Sequence, residues 1–386
     1  MNQVPPLKQP VYIVGSDHHS TLSLIRCFGE TGCDVRLILH QKGHTPKNRL
    51  ATSRSKYARN TEVVSNSELI PRLREIGQRN TEQSFLIPAV DFSTYHVDIN
   101  RNDLSKYFII HGIRGRQGAM AFLMDKHNQN VFAKDHNIPV ADSLPVDLSS
   151  SPTELEWEKY PCIVKPQISL YGSKIDVTQC DSRQELNKTL ATYRTKQFPN
   201  ALIQEKIRVI KEFCGFGSIT DFTENTFYAV IEKIRRFPSA FGSASLAVTT
   251  QQKEAIEFLN RILSILKDYG YRGLFDIEFF ETPDGFILNE INFRQSGNAY
   301  VMNKYKVYPP VYWCLDAIGE RPDSPIKCTI PPGINLINEM TEYELIKRKP
   351  TNLLKFLSQW SSTSAYAAFD IHDLNGTFAR YRAIFR

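Results

Sequence analysis

FDIEFFETPDGFILNEINFR, Phe275 to Arg294, reads as a β-hairpin with acids on one face and apolar side chains on the other. Two strand-like runs flank Pro283-Asp284-Gly285, where proline suits the first central position of a type I turn and glycine the left-handed position after it. That reading gives a three-residue loop and sets Glu278 opposite Glu290 and Asp276 opposite Asn292. Because strand side chains alternate, Asp276, Glu278, Glu290, Asn292 and Arg294 share one face, and Phe275, Ile277, Phe279, Ile291 and Phe293 share the other. Carboxylates directly across a ladder destabilise it by up to about 1 kcal/mol, unless a cation or proton lies between them. Carboxylate and amide oxygens are the ligands Mg²⁺ prefers, and Mg²⁺ completes its octahedron with waters and substrate phosphates. Phosphate chemistry is the function this face suggests. The plain alternative is the solvated polar face of a surface hairpin.

Working outward, the chain has 386 residues, enough for two or three domains, with an apolar fraction of 41% and a charged fraction of 23%. No run of about 18 apolar residues spans a bilayer, and MNQVPPLKQP lacks the build of a signal peptide. A cytoplasmic protein without membrane partners is expected. The seven cysteines are scattered singly with no CxxC pair, which argues for buried thiols in a reducing compartment and against a zinc site. The net charge of +6 is spread along the chain, and the densest basic cluster, Lys347-Arg348-Lys349, is short and lacks interleaved aromatics, so nucleic acid is not an expected partner.

VYIVGSDHHSTLSLIRCFGETGCDVRLIL reads as strand, loop at Gly15 to His19, helix, a stop at Gly32, and a second strand. SFLIPAVD adds a strand that ends in a loop at Pro88 to Asp91, so a small parallel α/β sheet with ligand-gathering loops at its carboxyl edge is predicted at the amino terminus. A boundary falls near residue 117. MAFLMDKHNQNVFAKDHNIPVADS then reads as one helix ending before Pro139. CIVKP and IDVTQC read as strands around the loop ISLYGSK, with a helix from Ser182 to about Tyr193 after them. ALIQEKI, GFGSITDF and TFYAVIEKI are further strands, and Glu254 to Tyr269 is an amphipathic helix closed by Gly270. The Gly215-Phe216-Gly217 run lacks the helix that a dinucleotide fingerprint needs. Beyond Glu320 the signals are mixed, and the tail has no assigned role.

If the hairpin holds a metal against nucleotide phosphates, other residues must supply cations and a slot for the base. Lys165, at the end of CIVKP, and Lys126, earlier in the chain, can reach phosphate oxygens as point charges. The loop Ser169 to Lys174 can cover a triphosphate with backbone N–H groups, although Gly172 is its one glycine. Gln204-Glu205-Lys206-Ile207 offers a main-chain donor and acceptor at the spacing an adenine edge needs, with Glu212 placed to accept from ribose hydroxyls. Read alone, QEKI is an amphipathic strand end and Lys165 a lysine at a strand exit.

Taken in order, Lys126, Lys165 in VKP, the loop to Ser173, QEKI, Glu212 and the closing E(x)11ExNxR of Glu278, Glu290, Asn292 and Arg294 resemble an ATP-grasp ligase over roughly residues 11 to 315. Within that superfamily the chain is most similar to the carbamoyl-phosphate-synthase-like carboxylate-amine ligases, the group with D-aspartate ligase and similar amino acid ligases. The resemblance implies an α/β and α+β chain. It would have an amino-terminal parallel α/β domain at 1–117, an ATP-grasp domain at 118–318 with subdomains at about 118–200 and 201–318, and an extension at 319–386. It further implies that Lys126, Lys165, Gly172 and Ser173 bind ATP phosphates, that the backbone of Glu205, Lys206 and Ile207 holds adenine, and that Glu212 holds ribose. Glu278 and Glu290 would bridge two Mg²⁺ ions, Mn²⁺ being the alternative, with Asn292 on the second ion and Arg294 facing the acyl phosphate. Arg235 or Arg236 would lie near the transferred phosphoryl group, with Arg235 slightly favoured.

Departures from the family pattern are Tyr171 and Leu170 in the phosphate loop, and Phe293 where a proline often precedes the arginine; no metal ligand or phosphate cation is lost. The activity implied is ADP-forming ligation of a small carboxylate, an amino acid or a derivative, to an amine through an acyl phosphate. Two alternatives stand beside it: a bicarbonate-dependent carboxylase acting through carboxyphosphate, and a non-catalytic nucleotide-binding regulatory module. Partners would be small-molecule carboxylate and amine substrates, with a homodimer left open. Pocket specificity should reside at Ser16 to Ser20, Pro88 to Tyr95, Arg235 to Ser243, and Gln295, Ser296 and Asn298. The adjacent His18 and His19 lack partner spacing and read as loop.

Overall fold

The computed structural model describes residues 4–43, 45–149, 155–170, 176–222, 227–237, 241–321, 330–348 and 353–384. A parallel sheet opens the chain. Its strands are β1 (Val11–Gly15), β2 (Val35–Gln41), β3 (Asn60–Ser65), β4 (Ser84–Pro88) and β5 (Phe108–Ile110), in the spatial order β3-β2-β1-β4-β5. The strand order reverses between β1 and β4, so the loops after these two strands open a crevice at the carboxyl edge. β1 and β4 are buried throughout, as central strands of a sheet covered by helices on both faces must be.

A short strand, β6 (Gly112–Ile113), leads out and pairs with the start of the acidic hairpin. The region expected to be one helix is two, Ala119–Leu123 and Lys126–Asp135. The interruption has a local cause. Asp125 sits in an extended conformation, and its carboxylate accepts from the backbone N–H groups of His127 and Asn128, so it starts a new helix instead of continuing the old one. Lys126 thereby becomes the first residue of that second helix.

An antiparallel sheet follows, formed by β7 (Ser143–Asp147), β8 (Cys162–Pro166), β9 (Thr178–Cys180) and β10 (Asn200–Glu205) in the order β7-β10-β8-β9. The helix Arg183–Thr195 covers it through Leu186, Leu190 and Tyr193. The largest sheet contains β11 (Lys211–Ile219), β12 (Phe227–Phe237), β13 (Ser243–Thr249), β14 (Tyr271–Thr282), β15 (Gly285–Asn292), β16 (Asn335–Ile337) and β17 (Ala365–Tyr366). Helix Lys253–Asp268 lays Ala255, Leu259, Ile262, Leu263 and Leu266 against Phe213, Phe275, Ile277 and Phe279. Truncating one of those buried leucines or isoleucines to alanine costs about 2–5 kcal/mol. Gly215 allows that approach, since a Cβ there would lie 2.4 Å from Leu259 Cδ2.

The tail adds β16 and β17 to the edge of the large sheet and then returns to the first one. Arg26 Nε donates to Asp373 Oδ2 at 3.0 Å, Ser55 Oγ donates to the same oxygen at 2.8 Å, and Arg380 Nη1 donates to Asp17 Oδ1 at 3.1 Å. Six cysteines are described, all buried free thiols. No helix among the described residues is long and apolar enough to cross a membrane.

Candidate active site

The hairpin β14–β15 pairs Asp276 with Asn292 and Glu278 with Glu290, the expected partners reached by a different route. Thr282 pairs with Gly285, so the turn is the two residues Pro283 and Asp284 and not a three-residue loop. Gly285, at φ 115°, begins the returning strand instead of closing the turn. A two-residue turn sets the register one position short, and a bulge at Asn289, between the pairs Phe279–Leu288 and Glu278–Glu290, restores it. Phe275, Ile277, Phe279 and Phe293 on the far face are fully buried, which fixes the acidic face toward the opening between the two antiparallel sheets.

That opening is a cleft of about 590 Å³. Lys126, Lys165, Glu205, Lys206, Ile207, Glu212, Glu278, Glu290, Asn292 and Arg294 all line it, although they come from both antiparallel sheets and a helix. Gly172 and Ser173 lie outside the described residues. Ser169, at the start of their loop, is in the cleft and accepts from Lys126 Nζ at 2.7 Å.

Lys126 Nζ also lies 3.2 Å from Glu290. One turn along the same helix, Gln129 explains that proximity. β15 is a sheet edge here, and the Gln129 amide accepts from Ile291 N–H at 2.8 Å and donates to Ile291 C=O at 2.9 Å, clamping the helix to the strand that carries Glu290. Lys165 has no ion pair among the described residues. Burial, followed by repulsion from Lys126, pulls it down to about 8 despite Glu290 and Glu278.

Lys233, which sequence reading did not single out, is the other buried lysine among the described residues. It donates to Glu212 and lies 2.9 Å from Glu278. Burial opposes its charge, but Glu278 and Glu212 outweigh burial and raise its pKa above the ordinary lysine value. Glu212 also accepts from Arg236 Nη1 at 2.5 Å. With two cations already on its oxygens, it retains lone pairs for ribose hydroxyls.

Arg236 lines the cleft, and Arg235 does not. Arg235 Nε and Nη1 donate to Glu342 and Gln359 in the tail, both at 2.8 Å. The cause is a register break. Lys233 pairs with Ala247, Arg235 with Leu246 and Arg236 with Ala244, so the alternation that would put Lys233 and Arg235 on one face is lost around Ile234, and Arg236 takes the inward position. The slight preference for Arg235 therefore passes to Arg236 on placement.

At the adenine segment, Glu205 N–H donates to Asp142 C=O at 2.9 Å and Lys206 N–H to Pro161 C=O at 3.3 Å. The Lys206 C=O and the Ile207 N–H make no hydrogen bond among the described residues, which leaves one acceptor and one donor in a stretch lining the cleft along with Ile163, Val177 and Phe241. At the other end of the cleft, Arg294 donates through Nη1 to Asp276 at 2.6 Å and through Nε to Asp91 at 2.9 Å. Burial works against the guanidinium charge, but Asp91 and Asp276 together hold it. His18 caps the first long helix by accepting from Ser20 N–H, and its ring lies against that of His19, tilted by 38° with centroids 3.8 Å apart. Gln295 donates to Ser23 Oγ at 3.1 Å, tying the loop after the hairpin to that helix.

No cluster of three or more His, Cys, Asp or Glu side chains suited to a metal occurs among the described residues. With Asp276 taken by Arg294, the acidic face offers Glu278, Glu290 and Asn292, with Lys233 beside Glu278 and Lys126 beside Glu290. That hard-oxygen set fits Mg²⁺, which takes few protein ligands and fills its remaining positions with water and phosphate.

Residues 131–301 match the family described as the ATP-grasp domain. A search of curated proteins by sequence found no match. Among solved structures, an N5-carboxyaminoimidazole ribonucleotide synthetase in its ADP complex is similar at 13% identity and TM-score 0.66, over 92% of this chain and 88% of that one. An L-amino acid ligase from Bacillus licheniformis is similar at 13% identity and TM-score 0.62, over 85% and 78%. The biotin carboxylase domain of a Hydrogenobacter thermophilus 2-oxoglutarate carboxylase, with MgADP, ADP and bicarbonate, is similar at 14% identity and TM-score 0.62, over 85% and 74%. At such identities these likenesses bear on the fold.

Proposed function

We propose that this chain, whose residues 131–301 match the ATP-grasp domain, is an ADP-forming carboxylate-amine ligase that activates a small carboxylate as an acyl phosphate. The observation that carries the reading is the convergence on one cleft of two phosphate-reaching lysines, the opposed Glu278 and Glu290 with Asn292, and a guanidinium at the far end. Phosphoryl transfer needs positioning and charge neutralisation more than covalent help from the protein.

Adenine would sit against Ile163 with its edge on the Lys206 C=O and Ile207 N–H, and Glu212 would take the ribose. Lys126 and Lys165 would bind phosphate oxygens, with Arg236 beside them. Lys126 would exchange its contact with Glu290 for phosphate oxygens. Glu278, Glu290 and Asn292 would hold Mg²⁺, one or two ions, whose contribution when bound is neutralisation of phosphate charge. Arg294 would orient the carboxylate so that its oxygen attacks the γ-phosphorus and ADP departs. An amine then attacks the activated carbonyl, phosphate leaves, and an amide forms. The reading places the protein in the cytoplasm, where ATP and small amines are available.

The test is incubation of purified protein with Mg²⁺-ATP and pooled amino acids, measuring ADP, AMP and phosphate, with Glu290→Ala as control. Amino-acid-dependent ADP and phosphate, lost in the variant, is the expected outcome. Dependence on bicarbonate instead would favour the carboxylase alternative. AMP with pyrophosphate would overturn the acyl phosphate route, and absence of turnover with intact ATP binding would favour the regulatory module.

A further inference from the structure

Asp91 reaches the cleft from a different sheet. It is the first residue of the helix Asp91–Ile99, directly after β4, at the crevice where the first sheet reverses its strand order. Its carboxylate meets Arg294, the last residue of the acidic hairpin motif, so one charge pair joins the crevice of the parallel sheet to the nucleotide cleft.

Each member of that pair is half used. Asp91 Oδ1 accepts from Arg294 Nε, whereas Asp91 Oδ2 accepts nothing among the described residues. Arg294 Nε and Nη1 are held by Asp91, Asp276 and the Gln295 C=O, whereas Nη2 donates to nothing among the described residues. Both side chains remain open to the cavity, at 28% and 18% exposure. A free carboxylate oxygen next to a free guanidinium nitrogen is complementary to a ligand that carries an anion and a cation a few ångströms apart.

Local charge argues the same way. Two carboxylates on one guanidinium leave a net charge of about −1 around Arg294. A simple carboxylate or bicarbonate approaching Arg294 meets that excess, but a zwitterion brings its own cation for Asp91. We propose that Asp91 and Arg294 form the head-group subsite of the activated substrate, Arg294 taking its carboxylate and Asp91 its α-ammonium. The substrate is then an α-amino acid with a free amino group. This rests on the ligase reading above. The first turn of a helix also favours an aspartate through the helix dipole, but that role asks nothing of the ligand and would serve every carboxylate equally.

The experiment traps activated carboxylates with hydroxylamine, which serves as acceptor amine for any donor and yields a hydroxamate. Wild type, Asp91→Asn, Asp91→Glu and Glu290→Ala are assayed with Mg²⁺-ATP and three probes: pooled L- and D-amino acids, the matching 2-hydroxy acids, and bicarbonate. Wild type should use amino acids at least about tenfold better than hydroxy acids, the size of a hydrogen bond between charged groups. Asp91→Asn should raise the amino acid KM by about the same factor and lower the hydroxy acid KM, since the charge that opposes a simple carboxylate is gone, with Asp91→Glu restoring part of the preference. Equal use of the two pools by wild type, or an equal loss for both in Asp91→Asn, would overturn the subsite while leaving the ligase intact. Hydroxamate from no carboxylate, or undiminished hydroxamate in Glu290→Ala, would instead overturn the ligase reading and the subsite with it.

Discussion

Lys165 and Lys233 are buried to nearly the same degree, at 9% and 8% exposure, and both feel the charge of Glu278, yet their electrostatics run in opposite directions. Burial wins at Lys165, which has no ion pair among the described residues and is drawn down to about 8. At Lys233 the contacts to Glu212 and Glu278 win, and the charge is locked in. The difference separates two jobs that the residue type alone does not distinguish. On the proposed function, the lysine whose charge is already matched holds the site together, and the one without an ion pair among the described residues is the one to receive an anion.

The sharpest way to break this contrast is to remove each lysine in turn. Lys233→Met leaves Glu212 and Glu278 without their shared cation, and loss of one partner from a buried pair costs about 3–5 kcal/mol. Thermal unfolding should show a large drop in Tm. Lys165→Met removes an unmatched buried charge, so Tm should hold or rise, while nucleotide affinity measured by calorimetry should fall about tenfold to a hundredfold. If both variants lose stability alike, the contrast is wrong.

A pH titration sharpens it further. Bound phosphate favours protonated Lys165, so above about 8 the nucleotide must bring a proton with it, and affinity should fall by up to about tenfold per pH unit. Lys165→Arg, charged throughout this range, should flatten the profile. The sign for folding is the reverse. Between about 8 and the ordinary 10.5 the unfolded lysine binds more protons than the folded one, so stability from this group rises with pH across that window. Lys233, with its raised pKa, should contribute no such rise.

The smallest effect expected is at the arginine pair. Arg236 is partly solvated, at 34% exposure, so Arg236→Gln should weaken nucleotide binding by no more than about fivefold. Arg235→Gln should leave nucleotide binding unchanged and loosen the tail at Glu342, read out as faster proteolysis after residue 340. An exchange of these two phenotypes would return Arg235 to the cleft.

Much of this site was legible because a strand forces alternation. Phe275, Ile277 and Phe279 must share a face, so Asp276 and Glu278 must share the other. The facing of Glu278 and Glu290 was anticipated from a loop that does not exist, since the two-residue turn and the bulge at Asn289 shift the register by equal and opposite amounts. The irregularity between Lys233 and Arg236 also returns to its starting register, but it changes which arginine takes the inward position, and nothing in EKIRRF marks it. Lys233 looked like any charge in a strand, because its partners lie 21 and 45 residues away. Asp125 did carry a signal, an aspartate placed to cap a helix, and reading it would have split the helix before Lys126. Asp91 fell within a loop flagged for specificity, but its pairing with Arg294 depends on how the first sheet meets the third, which no local pattern encodes.

The central claim is that the carboxylate itself takes the phosphoryl group from ATP. Amino acids labelled with ¹⁸O in the carboxylate, supplied with Mg²⁺-ATP and hydroxylamine, test it most directly when the released phosphate is examined by ³¹P NMR. One ¹⁸O atom transferred to each phosphate, alongside ADP, is the predicted result. Unlabelled phosphate, or AMP with pyrophosphate, would contradict it.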